Sequence, residues 1–522
     1  MNRRHFVHQA ALGAFGLPAL FRGFPRNLQQ WLPPALTETD HVLVIVQLYG
    51  GNDGLNTVIP LDRYDLYRNA RPQVYIPEQR ILNLNGAGHM GLHPSLEGLQ
   101  RLYKEDALHI VQSVGYPQPN FSHFRATDIW MTGADSNQLL NTGWLGRYLK
   151  YEYPAYPVDF PNEVMPDPLA MEIGSASTLT FQGPLSGMSM AVANPTEIYE
   201  MVEGIETPAP DTPAGDQLRY IRLIKKQTNR YRESINKAYR LGGQQIDYPT
   251  DNYLAEQLKI VAKLISGGLK TKVYMVSLDG FDTHDSQVEG GDHTEGEHAR
   301  LLRMLGDALS TFVTDCRKLG IQDRVVGLTV SEFGRRITSN ASNGTDHGAA
   351  APLFLFGDPV KGGISGVNPD IPPNPTEENN IPMQYDFRSV YATMLQDWLC
   401  VASSDLQETL LREYPTLPLL ENVACLSTSV HQDHIQAGKT YIRAYPNPFV
   451  QKTTLELDIS GGYTTVQIMD GTGKVIAVPL KGNIPNGLRR MDWDSGDLPP
   501  GVYYARLQSG AIQQVNQMLK VR

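Results

Sequence analysis

The sequence has few cysteines, a modest share of charged residues and no long apolar run, and each scarcity argues against a class of protein. Three cysteines are too few for the closed disulfide framework of small secreted domains. Charged residues make up 19% of the chain and leave a net charge of −10, which argues against a nucleic-acid partner because phosphate contacts need clustered Lys and Arg. No apolar run approaches the ~20 residues of a transmembrane helix, so no membrane span is expected.

The three cysteines have different predicted roles. Cys316 follows Leu305, Leu309 and Phe312 at helical spacing, which predicts a buried thiol. Cys400 and Cys425 could form a disulfide in an exported protein, but the sequence leaves their pairing open.

The chain is long enough, at 522 residues, for two or three domains. The apolar share of 41% is that of an ordinary globular protein. Changes in composition and pattern divide it into an export signal and leader at 1–36, a main domain at 37–420, a linker at 421–440 and a C-terminal domain at 441–522.

The N-terminus has the plan of an export signal. Arg3 and Arg4 precede a short, mildly apolar stretch from Ala10 to Phe21, and such an order of charge and apolar residues is typical of these signals. The paired arginines resemble the twin-arginine type. The alternative is a basic start to an amphipathic helix.

Apolar runs typical of strands alternate with helical patterns through the main domain. Residues 41–48 form a nearly unbroken β-branched run, which is typical of a strand buried on both faces of a parallel sheet. Further strands are predicted at 108–114, 169–173, 272–278, 324–330 and 352–356, and helices at 96–106, 122–131, 215–240, 252–265, 295–319 and 386–399. This alternation predicts an α/β domain with a mostly parallel sheet and helices on both faces.

Beyond residue 440 the pattern changes to short alternating runs separated by turn residues. These runs are at 453–459, 464–469, 474–478, 501–507 and 513–521. They predict a small C-terminal β-sandwich.

Polar residues follow or precede four of the predicted strands, where an open α/β sheet binds its ligands. They are Asn52 and Asp53 after the first strand, Asp282 and His284 after 272–278, Glu332 and Arg335 after 324–330, and His347 before 352–356. Carboxylates and imidazoles converging at one edge suit a divalent cation such as Zn²⁺, Mn²⁺ or Mg²⁺, which would hold an anionic group during an in-line displacement. We therefore predict a metal site for one or two ions.

Other polar residues near these strand ends are candidates for substrate contact. Ser122 begins a predicted helix, a position that suits a nucleophile or an anion-binding hydroxyl. Asn52 and Arg335 are candidate substrate-binding residues, although a surface salt bridge explains Arg335 equally well. His293 and His298 are expected to be structural or exposed.

Five motifs in the main domain resemble the DUF1501 family, an uncharacterised bacterial family related to alkaline phosphatases and sulfatases. They are residues 44–56 (VIVQLYGGNDGLN), 121–124 (FSHF), 280–284 (GFDTH), 331–335 (SEFGR) and 344–348 (GTDHG). The resemblance implies an alkaline-phosphatase-like fold with metal ligands at Asp53, Asp282, His284, Glu332 and His347. It places a nucleophile at Ser122 or its neighbour His123.

Two departures from that superfamily affect the expected chemistry. Phe333 stands where the superfamily has a metal-binding His, so one of two metal sites would lack a ligand. The sulfatase Cys-x-Pro-x-Arg motif is missing from the sequence, which argues against formylglycine chemistry.

The C-terminal domain resembles the type A sorting domain of the type IX secretion system of Bacteroidota. The motifs that carry the resemblance are residues 444–449 (AYPNPF), 470–474 (DGTGK), 498–504 (LPPGVYY) and 519–522 (LKVR). The resemblance implies the type IX secretion machinery as a partner and export across both membranes, with the protein released or held at the cell surface. A carbohydrate-binding β-sandwich is the alternative for this domain.

Two functions remain as hypotheses at this point. One is a metal-dependent hydrolase of phosphate or sulfate esters that acts on a small molecule or a glycan outside the cell. The other is a surface protein that keeps the fold for binding or structure without catalysis, which Phe333 favours.

Overall fold

The structure is a computed structural model that describes residues 39–196, 213–425 and 441–521, except 85, 88, 155, 158, 159, 185, 422, 424, 446–448, 460, 471–473, 510 and 511. The predicted export signal and most of the predicted linker lie outside the described residues. The chain divides into two compact units, one ending at Cys425 and the other beginning at Leu426.

The first unit is built on a mixed sheet of nine described strands. The described strands of this unit, in chain order, are β1 (Val42–Leu48), β2 (Val58–Pro60), β3 (Leu82–Asn83), β4 (Met90–Leu92), β5 (Leu108–Gly115), β6 (Ala170–Glu172), β7 (Ser189–Ala191), β8 (Val273–Leu278), β9 (Val325–Ser331), β10 (Ala351–Phe356), β11 (Gly363–Ser365) and β12 (Tyr385–Asp386). Strands β2, β3 and β4 form a small separate sheet, and the other nine form the main sheet. The main sheet has the order β11-β5-β10-β9-β1-β8-β6-β7, with β12 also on β5, and the small sheet has the order β2-β4-β3. Strand β1 therefore lies in the middle, parallel to β8 and β9.

Strand β10 is antiparallel to both of its neighbours, β9 and β5, whereas the other pairings in the main sheet are parallel. The start of β10 consequently lies at the edge where the parallel strands end. Residues that precede β10 therefore join residues that follow β1, β8 and β9 at one edge of the sheet.

Helices cover both faces of the main sheet. The described α-helices are α1 (Gly54–Thr57), α2 (Tyr64–Ala70), α3 (Glu97–Lys104), α4 (His123–Thr132), α5 (Trp144–Glu152), α6 (Pro213–Leu241), α7 (Tyr253–Ser266), α8 (Glu297–Leu319), α9 (Phe387–Thr393) and α10 (Leu406–Leu410), and a π-helical turn, Met394–Trp398, continues α9. Val44 and Val46 of β1 pack in a core with α7 and α8, whereas Leu43 and Ile45 pack in a second core with α4, α5 and α9. Burial of both faces explains the unbroken apolar run of β1 and confirms the predicted α/β architecture.

The second unit is a β-sandwich, as predicted. Its strands are β13 (Tyr441–Tyr445), β14 (Lys452–Ile459), β15 (Gly462–Asp470), β16 (Val475–Ile484), β17 (Gly487–Asp494), β18 (Gly501–Ser509) and β19 (Ile512–Lys520). They form the sheets β13-β14-β17 and β16-β15-β18-β19, which share one apolar core. Phe449 and Tyr503 of the sorting motifs are buried beside Trp493 in this core, so these motif residues support the sandwich itself.

The sequence prediction did not include β17. This strand carries Arg489, Arg490, Asp492 and Asp494, and so many charges hide an alternating pattern. It pairs with β14 along its whole length.

A disulfide joins Cys400 to Cys425, which answers the question that the sequence left open. The free Cys316 is buried within α8, as predicted. The bridge ties the end of the first unit to the segment after α9, so the fold of this unit continues past residue 420. None of the described helices is both long and apolar enough to cross a lipid bilayer.

We expect reduction of this disulfide to destabilise the first unit. The bridged cysteines are separated by 25 positions, and closing a loop of that length stabilises a fold by about 3.5 kcal/mol in the chain-entropy account. Urea unfolding with and without dithiothreitol measures the effect. The double variant Cys400→Ser, Cys425→Ser is the control and should not respond to dithiothreitol. An unchanged urea midpoint for the reduced wild-type protein would contradict this prediction.

Candidate metal centre

Four loops meet at the edge where β1, β8 and β9 end and β10 begins. They carry Gly50 to Asp53, Phe281 to His284, Ser331 to Arg335, and Gly344 to Gly348. An isolated antiparallel bridge between Arg335 and His347 joins the third loop to the fourth. Helix α4 adds His123 at its first position.

The first loop approaches its neighbours so closely that it needs glycine. Gly50 and Gly51 have φ angles of +115° and +84°, which residues with a Cβ rarely adopt. A Cβ on Gly50 would lie 2.2 Å from the Asp282 backbone nitrogen, and one on Gly51 would lie 2.4 Å from the Phe333 ring. The two glycines therefore allow the second and third loops to pack directly against the end of β1.

Three imidazoles surround the carboxylate of Asp282. His347 Nε2 lies 3.0 Å and His284 Nε2 lies 3.2 Å from Asp282 Oδ1, while His123 Nε2 lies 3.2 Å from Oδ2. One ligand atom each from His123, Asp282 and His347 lies within 4.8 Å of the others. Ligands bound to Zn²⁺ at about 2.0–2.1 Å in a tetrahedron are themselves about 3.3 Å apart. The described residues thus include a His/Asp group that can hold a metal ion.

The other ring nitrogen of each imidazole, Nδ1, lies next to a hydrogen-bond acceptor. His347 Nδ1 donates to the Phe121 carbonyl at 2.8 Å, and His284 Nδ1 lies 2.9 Å from Asp346 Oδ1. His123 Nδ1 lies 3.0 Å from Glu332 Oε1. A neutral imidazole carries one proton. The Phe121 carbonyl can only accept, so a neutral His347 carries its proton on Nδ1 and directs the Nε2 lone pair at Asp282. His123 and His284 each lie between two carboxylates, and with the proton on Nδ1 they present Nε2 to Asp282 in the same way.

Three neutral imidazoles supply one N–H each. These three protons are too few to make a hydrogen bond of every contact among the imidazole nitrogens and their acceptors. His284 Nε2 and His347 Nε2 are only 2.8 Å apart, and both also face Asp282. A bound cation would satisfy all of these lone pairs, and metal-binding histidines commonly donate their other N–H to a carboxylate or a backbone carbonyl. The partners of Nδ1 here are of those two kinds.

Asp282 is held as a carboxylate. Partial burial alone would raise its pKa, but the Arg335 guanidinium and the neighbouring His347 imidazole outweigh burial and lower the pKa to about 2. For Asp346, hydrogen bonds from His284 and Asn340 likewise outweigh partial burial and lower the pKa. Burial lowers the pKa of His347 despite its contact with Asp282, which favours the neutral imidazole that a metal requires.

Glu332 lies beneath His123 and does not face Asp282. Its side chain is 1% exposed, and Oε1 accepts hydrogen bonds from the Gly50 backbone N–H at 2.8 Å and from His123. Phe333 stands where the resemblance implies a metal-binding histidine. Its ring packs against His123 and His347. The side of the group next to Phe333 is therefore apolar.

Asp53 is fully buried and its carboxylate is already paired. Arg71 Nη1 lies 2.7 Å from Asp53 Oδ1 and 2.6 Å from Oδ2, and Gln287 Nε2 donates to Oδ2 at 2.6 Å. Burial would raise the pKa of Asp53, but Arg71 outweighs it and the pKa is lowered. The structure does not bring this carboxylate into the group around Asp282.

The two candidate substrate-binding residues are also internal. Asn52 Oδ1 accepts from Thr57 at 3.0 Å and faces His298 Nε2 at 3.1 Å. Arg335 is 1% exposed, and its guanidinium donates to Asp282 and to the carbonyls of four residues: Gly50, Gly51, Phe281 and Thr345. His298 is structural, as expected, because it is buried against Asn52.

The two candidate nucleophiles, Ser122 and His123, have different surroundings at the start of helix α4. Ser122 is its N-cap and is exposed, without a hydrogen bond from its side chain to the helix. His123 occupies the first helical position and reaches Asp282 and Glu332. The structure therefore brings His123 into the group and leaves Ser122 at its solvent side.

Four contributors to the site were not predicted from the sequence. They are Arg71, Gln287, Asp346 and the Phe121 carbonyl. Asp346 and Phe121 lie inside quoted motifs, directly before His347 and two positions before His123. Their position in these motifs was therefore an available signal. Arg71 and Gln287 have no such signal, because both act from outside the five motifs.

Comparison with known proteins confirms both resemblances. The model of the family described as "Protein of unknown function (DUF1501)" matches residues 254–403, a span that contains Asp282, His284, Glu332 and His347. The model of the "Secretion system C-terminal sorting domain" matches residues 443–521, which is nearly the whole second unit. The chain is therefore an exported protein that reaches the cell surface or is secreted, and its first unit carries a DUF1501 segment.

Solved structures similar to the chain include members of the alkaline phosphatase superfamily. A protein of that superfamily from Vibrio parahaemolyticus is 10% identical with a TM-score of 0.32, over 92% of this chain and 82% of the other. The PsFucS1 sulfatase from Pseudoalteromonas sp. is 10% identical with a TM-score of 0.31, over 88% and 84% of the two chains. The alkaline phosphatase from the Antarctic bacterium TAB5 is 9% identical with a TM-score of 0.27, over 61% and 92%. No curated protein matches the sequence.

The close contact between Gly51 and Phe333 leads to a test of the loop geometry. We expect Gly51→Ala to lower the free energy of unfolding by about 1–3 kcal/mol more than Gly86→Ala. Both glycines have positive φ, at +84° and +76°, but only the Cβ on Gly51 meets a neighbour, whereas the one on Gly86 meets nothing within 4 Å. Both variants share the backbone strain, so urea unfolding isolates the contact. Equal destabilisation would contradict the described packing.

Proposed function

We propose that the protein is an exported metal-dependent hydrolase of phosphate or sulfate esters. His123, Asp282 and His347 would bind one divalent cation, and His284 would supply a fourth donor. The observation that carries this proposal is the meeting of the Nε2 atoms of three histidines at the carboxylate of Asp282. Three nitrogens and one carboxylate oxygen favour Zn²⁺, with Mn²⁺ as the next candidate.

When bound, the cation would hold an ester oxygen and stabilise the negative charge that develops on it. The residues of the chain have separate tasks. Glu332 would fix the orientation of His123 through its contact with Nδ1, and Asp346 would do the same for His284. Ser122, exposed at the N-terminus of α4, is the proposed nucleophile or anion-orienting hydroxyl, because a helix N-terminus favours negative charge.

The site geometry supports one cation instead of two. Phe333 covers one side of the group with an apolar ring, and Asp53 is already neutralised by Arg71. We assign Asp53, Asn52 and Arg335 a supporting role in the loops. This assignment replaces the metal-binding role expected for Asp53 and the substrate-binding role expected for the other two.

A large apolar side chain on helix α4 is exposed to solvent. Phe124 follows His123 on the first turn of α4 and is 89% exposed. An exposed ring on the residue that follows a proposed ligand suits a substrate that presents an aromatic or sugar ring. It therefore supports a small-molecule aryl ester or a glycan ester as the substrate class.

A non-catalytic surface protein is the second candidate. The observation in its favour is that the arginines on the site loops are committed to internal partners. Arg335 is bound to carbonyls and Asp282, while Arg336 pairs with Glu378 and packs on Phe121. The cation and Ser122 would then be the only groups that bind an ester anion in this proposal.

Asp282→Asn tests the metal centre directly. Because it removes the charge at the centre of the group, we expect divalent-cation affinity to fall at least about 100-fold, the upper end of the loss typical for an outer-shell change. Asp285→Asn is the matched control, since Asp285 is exposed in the same loop and the charge change is identical. Metal analysis after dialysis and turnover of aryl phosphates and aryl sulfates are the measurements.

The two functions predict different results for the wild-type protein. Bound metal with turnover that Asp282→Asn abolishes supports the hydrolase, whereas bound metal without turnover on any ester supports the non-catalytic protein. Wild-type protein that retains no more metal than Asp282→Asn would contradict the metal centre.

A further inference from the structure

The buried pair of Asp53 and Arg71 lies at the base of the loops that carry the metal centre. Both side chains are 0% exposed. A carboxylate removed from water in this way needs a compensating cation. The Arg71 guanidinium is that cation.

Arg71 also holds the loop that follows β9. Its Nε donates to the Ile337 carbonyl at 2.8 Å and its Nη2 to the Arg336 carbonyl at 2.5 Å. Nη1 reaches Asn56 Oδ1 at 3.1 Å in addition to Asp53. One planar group therefore fixes the segment after β1 relative to the segment after β9.

Gln287 extends this network to the loops that carry the proposed ligands. Its Nε2 donates to Asp53, and its Oε1 accepts from Thr283 Oγ1 at 3.2 Å and from Thr345 Oγ1 at 2.7 Å. Thr283 lies between Asp282 and His284 in the sequence, and Thr345 precedes Asp346. The backbones of the two threonines are also joined, from Thr345 N to the Thr283 carbonyl at 3.1 Å.

We propose that the Arg71 guanidinium takes the place of a second metal ion. With Asp53 and Gln287 it sets the spacing of the loops that carry Asp282, His284 and His347, and thereby the affinity of the site for a single divalent cation. Arg71 is a positioning residue in this account, since it touches neither the cation nor the substrate. The inference rests on the proposed function.

A purely structural ion pair would stabilise the fold without affecting metal affinity. Two variants separate these roles. Arg71→Lys keeps the charge but loses the planar fork that reaches two carbonyls and Asp53 together. Gln287→Met keeps the side-chain volume and the Asp53–Arg71 pair but removes the link to Thr283 and Thr345.

Arg388→Lys is the matched control for Arg71→Lys. Arg388 is also a buried arginine, 2% exposed, and it pairs with Asp386 and Asp135. None of its described hydrogen-bond partners lies on a loop with a proposed ligand. It should therefore report the stability effect of replacing a buried arginine without any effect on the metal centre.

The experiment is calorimetric titration of the full chain with Zn²⁺, with Asp282→Asn as the reference for adventitious sites. Circular dichroism and thermal melting establish that each variant is folded. We expect one Zn²⁺ per wild-type chain above the reference. We expect about 10-fold weaker binding for Arg71→Lys and Gln287→Met, the lower end of the loss seen when partners of metal ligands are changed, because both residues act through the loops that carry the ligands. We expect unchanged binding for Arg388→Lys.

The inference and the proposed function fail in different ways. Wild-type affinity in both Arg71→Lys and Gln287→Met would overturn the inference alone, and so would two Zn²⁺ ions per wild-type chain. Equal weakening in Arg388→Lys would also overturn it, because the effect would then follow from lost stability. A wild-type chain that binds no more Zn²⁺ than Asp282→Asn would overturn the metal centre itself.

Discussion

The chemistry of this site depends on the orientation of three imidazole rings. Each of His123, His284 and His347 presents its Nδ1 to an acceptor at the back of the site. With the single proton of a neutral imidazole on Nδ1, each Nε2 faces Asp282 as a lone pair. Lone pairs and a carboxylate gathered without protons repel each other, and a cation relieves that repulsion. The proposed ligand set and its chemistry follow from this constraint.

The strand pattern was enough to predict where the site lies, because the polar residues follow β1, β8 and β9, and parallel strands end at a common edge. The apolar run of β1 and the helical pattern of α8 were correctly predicted. The antiparallel direction of β10, which delivers His347 to the same edge, is not visible in the sequence. A six-residue apolar run has the same pattern whether the strand is parallel or antiparallel to its neighbours.

The roles of individual side chains were harder to predict than the position of the site. Ser122 and His123 are neighbours, and only the start of α4 after Ser122 decides which of them turns toward Asp282. Asp53 appeared free at a strand end because its partner Arg71 follows the short helix α2, and no periodic pattern links them. Export is independent of these questions, since it rests on the match of the sorting domain at the C-terminus.

Anomalous diffraction from crystals of the protein grown with Zn²⁺ tests the central claim most directly. The account predicts one strong peak among His123 Nε2, Asp282 and His347 Nε2, at about 2.0–2.2 Å from the ligand atoms, with Arg71 still bound to Asp53. A Zn²⁺ peak at Asp53, or no peak among the three histidines, would contradict it.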